Sequence, residues 1–155
     1  MAASEGGHDN TSKTDFLTHS STGTAIGAAE TFEGGVMADN SKRTGAAIEA
    51  HYQFLLWLGP ILEKFPKDKK FTLGDRIMNQ ALDVLESLIE ATYTRERVHH
   101  LRRANLGIEK LRFLMRLAAD LKVLDKDRYA FAARTLDDTG RSVGAWVKAH
   151  NAETA

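Results

Sequence analysis

The chain has 155 residues, 21 Lys and Arg against 21 Asp and Glu, and no cysteine. That length fits one domain, and the missing cysteines exclude disulfides, thiolate catalysis and cysteine metal sites. No apolar run approaches the roughly 20 residues that a membrane helix needs, and the start lacks the basic-then-apolar order of a secretory signal, so a cytoplasmic protein is the default.

The neutral total hides an asymmetry. Residues 1–45 hold three Lys and Arg against six Asp and Glu, whereas residues 46–155 hold 18 against 15. Placement matters more than the sum, because a local patch sets the field that a ligand meets.

Residues 1–45 are rich in Gly, Ser, Thr and Ala and hold no period. A segment that buries so little apolar surface does not offset chain entropy, and disorder is expected. Met37 opens MADNSKRTG, a plausible start, which leaves two readings of residues 1–36: an upstream extension or a functional tail. A four-helix bundle is expected over residues 46–150, with residues 151–155 as a frayed tail.

The first helix is predicted from about Gly45 to Phe65, with Ile48, Tyr52, Leu55, Leu58 and Leu62 as its core face. Phe54, Trp57 and Ile61 add a second apolar edge. Gly59-Pro60 inside the pattern predicts a kink, since proline removes a donor and clashes with the preceding turn. Pro66 then stops the helix.

The second helix is predicted from Thr72, where Thr72-Leu-Gly-Asp75 has capping-box spacing with Asp in place of Glu. Leu73, Ile77, Val84, Leu88 and Ala91 make one face; Met78, Leu82, Leu85 and Ile89 make another. This helix is expected to be the most buried, and it either runs on or breaks near Tyr93-Thr94.

The third helix, Arg95–Lys122, organises the rest. Leu101, Ala104, Ile108, Leu111, Met115 and Ala118 recur at gaps of three and four, the 3.6-residue period of a core-facing stripe. A second stripe, Leu106, Phe113, Leu117 and Leu124, falls on the far side, where a lone bundle needs none. Seven Arg and Lys against two Glu lie between Arg95 and Arg116.

The fourth helix is predicted after the N-cap Asp125. Tyr129, Ala132, Ala133, Leu136, Gly140, Val143 and Val147 form its core stripe, with Phe131 and Trp146 off it. No strand-like alternation occurs. Short joins make the expected architecture an all-α, antiparallel up-down-up-down four-helix bundle with a disordered N-terminal segment.

The chemistry-bearing patterns are few. Glu96-x-x-His99 has the spacing of a di-iron bundle motif, but that chemistry needs a second copy and two further inward carboxylates, and the other helices offer no second copy. It reads as a solvated helix start. No phosphate loop and no nucleophile elbow occur. Asp137 and Asp138 diverge by about 100° on a helix and do not share a substrate easily. No catalysis, metal or cofactor is expected. The basic residues Arg95, Arg97, Arg102, Arg103, Lys110, Arg112 and Arg116 are the candidate nucleic-acid contacts, because arginines can hold a phosphate backbone without reading sequence. The alternative is a solvated charged face. The apolar excess at Trp57, Leu106, Phe113, Leu117 and Trp146 points to an oligomer interface, or to the filling of a generous single core.

Four segments carry a family resemblance: Tyr52-Gln-Phe-Leu-Leu-Trp-Leu-Gly-Pro60; Phe65-Pro-Lys67 with Phe71-Thr-Leu-Gly-Asp-Arg76; Leu111-Arg-Phe-Leu-Met-Arg-Leu117; and Gly140-Arg-Ser-Val-Gly-Ala-Trp146. Over residues 48–149 the chain resembles the accessory variability determinant (Avd) proteins of diversity-generating retroelements, which belong with the bundle proteins of bacterial ribosomal-RNA intervening sequences. The resemblance implies a homopentameric, barrel-like assembly with a positive surface. It implies a non-catalytic accessory subunit that binds the retroelement's reverse transcriptase and nucleic acid, and that supports mutagenic copying of a template RNA into cDNA. The other expectation is an oligomeric bundle of the intervening-sequence type with protein-only interactions.

Overall fold

In the computed structural model of the protein the described residues are 35–155, with side chains described for Lys42 and from Thr44 onward. The disorder expected for residues 1–34 lies outside them. Helix α1 (Gly35–Glu63) is followed by a single helical turn, α2 (Lys67–Lys69), and a π-helical turn over Lys70–Gly74. Then come α3 (Asp75–Tyr93), α4 (Arg97–Asp120) and α5 (Lys126–Thr154). The described residues contain no strand. Helices α1 and α4 each pack on both α3 and α5, which closes a four-cornered bundle of long helices joined by short connectors. The all-α four-helix architecture is the one that the periodicity predicts.

Helix α1 begins ten residues before the predicted Gly45, so residues 35–45 are helical rather than disordered. From Thr44 onward the inward side chains are described. Thr44, Ala47 and His51 are buried and continue the stripe of Phe54, Leu58, Ile61 and Leu62 back along the helix. Small and polar residues carry that part of the stripe, so a count of apolar residues misses it. The same rotation shifts the predicted core face: Leu58 and Leu62 are buried as predicted and Ile48 and Leu55 pack against the core, but Phe54 and Ile61 are also inside, while Tyr52 is exposed. The helix stays continuous through Pro60 and ends in tight turns, Lys64 and Phe65 donating to the carbonyls of Ile61 and Leu62.

His51 is the buried polar residue of this stripe. Its Nε2 lies 2.7 Å from the Ala81 carbonyl and donates to it, while Nδ1 has no partner. Burial pushes the His51 pKa below its ordinary value of 6.5, against the smaller raising effect of the Ala81 hydrogen bond. The unfolded chain therefore takes up a proton before the folded one does. Stability should be full above about pH 6.5 and should fall as pH drops below it, by up to about 1.4 kcal/mol per pH unit from this group. Denaturation midpoints measured across pH 5 to 8 check this; His51→Met should flatten that part of the profile.

The predicted capping box is not formed. Thr72 sits inside the π turn, its hydroxyl donating to the carbonyls of Asp68 and Lys69, and α3 starts at Asp75 without a side-chain cap. Helix α3 buries Ile77, Ala81, Val84, Leu88 and Ala91, together with Gln80 and Ser87. Its second face opens outward, with Leu82 and Ile89 exposed. The chain breaks at Thr94, in extended conformation, and α4 starts at Arg97 rather than Arg95.

All six residues of the predicted α4 stripe, Leu101 through Ala118, are buried. Helix α4 closes with Lys122 at φ 63°, the left-handed position that glycine usually fills. The N–H groups of Lys122 and Val123 donate to Ala119 and Ala118, a Schellman arrangement. Asp125 then caps α5 as predicted, its Oδ1 accepting from the Arg128 N–H at 2.8 Å. Helix α5 runs on to Thr154, past the Asn151 at which fraying is expected. Its core residues are Ala132, Leu136, Thr139, Val143 and Trp146. Thr139 is buried cheaply because its hydroxyl donates to the Thr135 carbonyl one turn back.

Candidate nucleic-acid interface

Each helical residue advances about 100° around the axis. Taking the buried stripe of α4 as the inward direction, Leu106, Phe113 and Leu117 project nearly opposite to it. They are 56 %, 68 % and 45 % exposed. Arg102 lies on one shoulder of this outward strip, and Arg103 and Lys110 lie on the other. The strip borders an open groove of about 680 Å³ between α3 and α4, lined by Arg76, Gln80, Leu106, Glu109, Lys110, Phe113, Leu114 and Leu117. Leu124, predicted as a fourth member, is instead buried in the α4–α5 turn.

The seven candidate cations divide by partner. Arg97 is partly buried and held within the bundle. Its Nε donates to the Ala91 carbonyl at 2.9 Å, and its guanidinium lies 6.0 Å from the centre of the Trp146 ring. It ties the end of α3, the start of α4 and the last turns of α5 together. Arg112 also turns inward. It pairs with Glu109 on its own helix and with Asp137 of α5 at 2.9 Å, and it reaches the Leu136 carbonyl at 3.4 Å. Both were expected on the interface; both are structural clamps, because a carbonyl or carboxylate from another helix captures each guanidinium.

Arg103 and Arg116 make only long surface pairs, 3.7 Å to Glu90 and 3.8 Å to Asp120. Such exposed pairs contribute little and leave the charge available. Arg95, Arg102 and Lys110 have no carboxylate partner among the described residues. The outward cations are therefore Arg95, Arg102, Arg103, Lys110 and Arg116.

The candidate interface aromatics also divide. Trp146 is 1 % exposed and belongs to the core of the bundle. Trp57 is half-buried, its ring centre 5.8 Å from that of Phe54 and 4.7 Å from that of Phe131. Leu106, Phe113 and Leu117 stay on the outside. Glu96 and His99, the metal-like pair, sit at the start of α4. There the His99 ring is edge-on to His100, and His100 is 2.9 Å from Glu90. Among the described residues no three His, Asp or Glu side chains gather as a ligand set, and no helix is long and apolar enough to cross a membrane.

Two glycines shape this region, Gly140 of the predicted α5 stripe and Gly107, which carried no signal in the sequence. A Cβ on Gly107 would lie 2.5 Å from Val84 Cγ2, and one on Gly140 would lie 3.0 Å from Arg112 Nη2. Gly107 lets α3 and α4 come into close contact, and Gly140 leaves room for the inward arginine.

These features define a four-helix bundle with one helix that is apolar inside and both apolar and cationic outside. The chain belongs to the bAvd-like family, whose model matches residues 43–150. That match spans the four long helices apart from the first turns of α1 and the last residues of α5. A search of curated proteins found no relative.

Proposed function

We propose that this protein is a non-catalytic accessory subunit of a diversity-generating retroelement. In this reading it assembles as a homo-oligomer, a pentamer by family resemblance, and acts in the cytoplasm. It binds the reverse transcriptase and the template RNA or cDNA, and supports mutagenic reverse transcription. The observation that carries the reading is membership of the bAvd-like family across the bundle. The outward strip of Leu106, Phe113 and Leu117 supports self-association, and the cations on its shoulders support contact with phosphates.

Binding of RNA or DNA should weaken steeply with salt, since each phosphate contact releases counterions. Arg102→Glu with Lys110→Glu should lower affinity and flatten the salt slope while the melting temperature holds. Arg97→Ala should do the reverse, lowering the melting temperature and leaving the salt slope unchanged. Fluorescence anisotropy over a salt series, with thermal melts of the same variants, checks both. Unchanged binding in the double variant removes these residues from the contact.

A second reading is an intervening-sequence type of bundle with protein-only interactions. The equal numbers of acidic and basic residues and the inward use of Arg97 and Arg112 favour it. It requires an oligomer that ignores nucleic acid at physiological salt.

A further inference from the structure

We propose that the α3–α4 turn is a site for unpaired nucleic acid, in which Tyr93 stacks on a base while Arg95 and Arg102 hold neighbouring phosphates. The inference rests on the nucleic-acid reading above and specifies which form of the polymer that surface takes.

Tyr93 is the last residue of α3 and is 84 % exposed, the most exposed of the large hydrophobic side chains among the described residues. Its ring and hydroxyl have no partner among the described residues. Helical phase places it directly opposite the buried stripe of Ile77, Val84 and Leu88. The turn that presents it is held on three sides. The Thr94 N–H donates to the Glu90 carbonyl at 3.1 Å, Arg97 Nε donates to the Ala91 carbonyl, and His100 Nδ1 lies 2.9 Å from Glu90. The aromatic ring thus projects from a fixed platform, which limits the ordering entropy lost on binding.

The charges around it are mixed, with Glu90 and Glu96 exposed beside Arg95, but the cations differ in what holds them. Arg95, two residues on, and Arg102, on the outward side of α4, have no carboxylate partner among the described residues. The nearby carboxylate of Glu90 is already shared by His100 and Arg103. An exposed ring with unpaired guanidinium groups on the flanking turn and helix is an arrangement that single-strand binding can use: base faces stack on aromatics, and cations track the backbone. A duplex keeps its base faces stacked on one another and shows the turn only its phosphates. Tyr93 therefore discriminates the unpaired from the paired form.

Anisotropy titrations of the full chain test this with a short unstructured RNA, a DNA of the same sequence, and the matching duplex. The single strands should bind more tightly than the duplex. Tyr93→Ala should cost about tenfold in affinity for both single strands, Tyr93→Phe should cost little, and duplex binding should not change. Arg102→Glu should weaken all three. Circular dichroism should show Tyr93→Ala folded as the parent. Equal binding of single strand and duplex, with Tyr93→Ala silent while Arg102→Glu weakens binding, overturns this proposal and leaves the accessory-subunit reading standing. A Tyr93→Ala loss confined to RNA or to DNA also overturns base stacking. Absence of binding to any of the three overturns both.

Discussion

Trp146→Ala should lower folding stability by about 3 to 5 kcal/mol, the range for deleting a large buried aromatic. Trp146 is among the largest fully buried side chains. Its ring fills the space between α5 and the start of α4, beneath the Arg97 guanidinium. Truncation would open a cavity there and would also leave Arg97 without its aromatic support. A typical domain has only about 5 to 15 kcal/mol in total, so this variant should lie close to the margin of folding. Trp146→Phe should lose much less. It keeps most of the ring and removes an indole N–H that is buried without a partner, a group that costs stability when left unpaired. Urea denaturation followed by circular dichroism checks both variants. A Trp146→Ala protein that unfolds at the parent's midpoint but dissociates from its oligomer would return Trp146 to the interface.

Gly107→Ala should be the second large effect, a net loss of about 2 kcal/mol. In an ordinary exposed helix the same change gains roughly 1 kcal/mol from helix propensity. Here the new methyl would lie 2.5 Å from Val84 Cγ2 and 3.1 Å from Gln80 Nε2. Val84 is buried and β-branched, so its side chain has no second rotamer to retreat into. Relief requires α3 and α4 to move apart along their contact, and overpacking of this kind costs about 1 to 3 kcal/mol and occasionally more. Val84→Ala combined with Gly107→Ala should recover part of the loss, because the two sites share one contact. Thermal melts of the two single variants and the double variant check this. A stabilised Gly107→Ala protein would show that the helices part without strain.

The sequence and the structure agree most closely on α4. Its inward stripe needs only a 3.6-residue period, and Leu101, Ala104, Ile108, Leu111, Met115 and Ala118 supply it without interruption. The Asp125 cap was legible for a similar reason, because capping is a local hydrogen bond between residues three apart. Agreement weakens where the buried residue is polar or small. His51 is inside because it finds the Ala81 carbonyl of another helix, which nothing in its own sequence neighbourhood signals, and Thr139 because its hydroxyl is satisfied by the Thr135 carbonyl of its own helix. Their burial turns α1 and α5 about their axes. Tyr52 moves outward, and Trp146 moves into the core.

The candidate interface was legible in type and divided in detail. A local excess of arginine and a second apolar stripe both appear in the residue order. Which arginines remain available does not, because the groups that capture them come from elsewhere: Ala91 and Trp146 for Arg97, Asp137 and Leu136 for Arg112. Gly107 gave no signal either, since a glycine in a helix reads as a loss of propensity until the opposing Val84 is known.

The sequence by itself determined the helices' number and type, the inward side of α4, the α5 cap and the concentration of cations beside an outward apolar strip. All of these follow from the periodicity and chemistry of residues within a few turns of one another. Tertiary structure alone decided the rotation of α1 and α5, the burial of His51 and Trp146, and the division of the arginines into inward clamps and outward charges. Those outcomes depend on which atoms of another helix stand opposite each side chain, and that pairing is made only when the four helices close on one another.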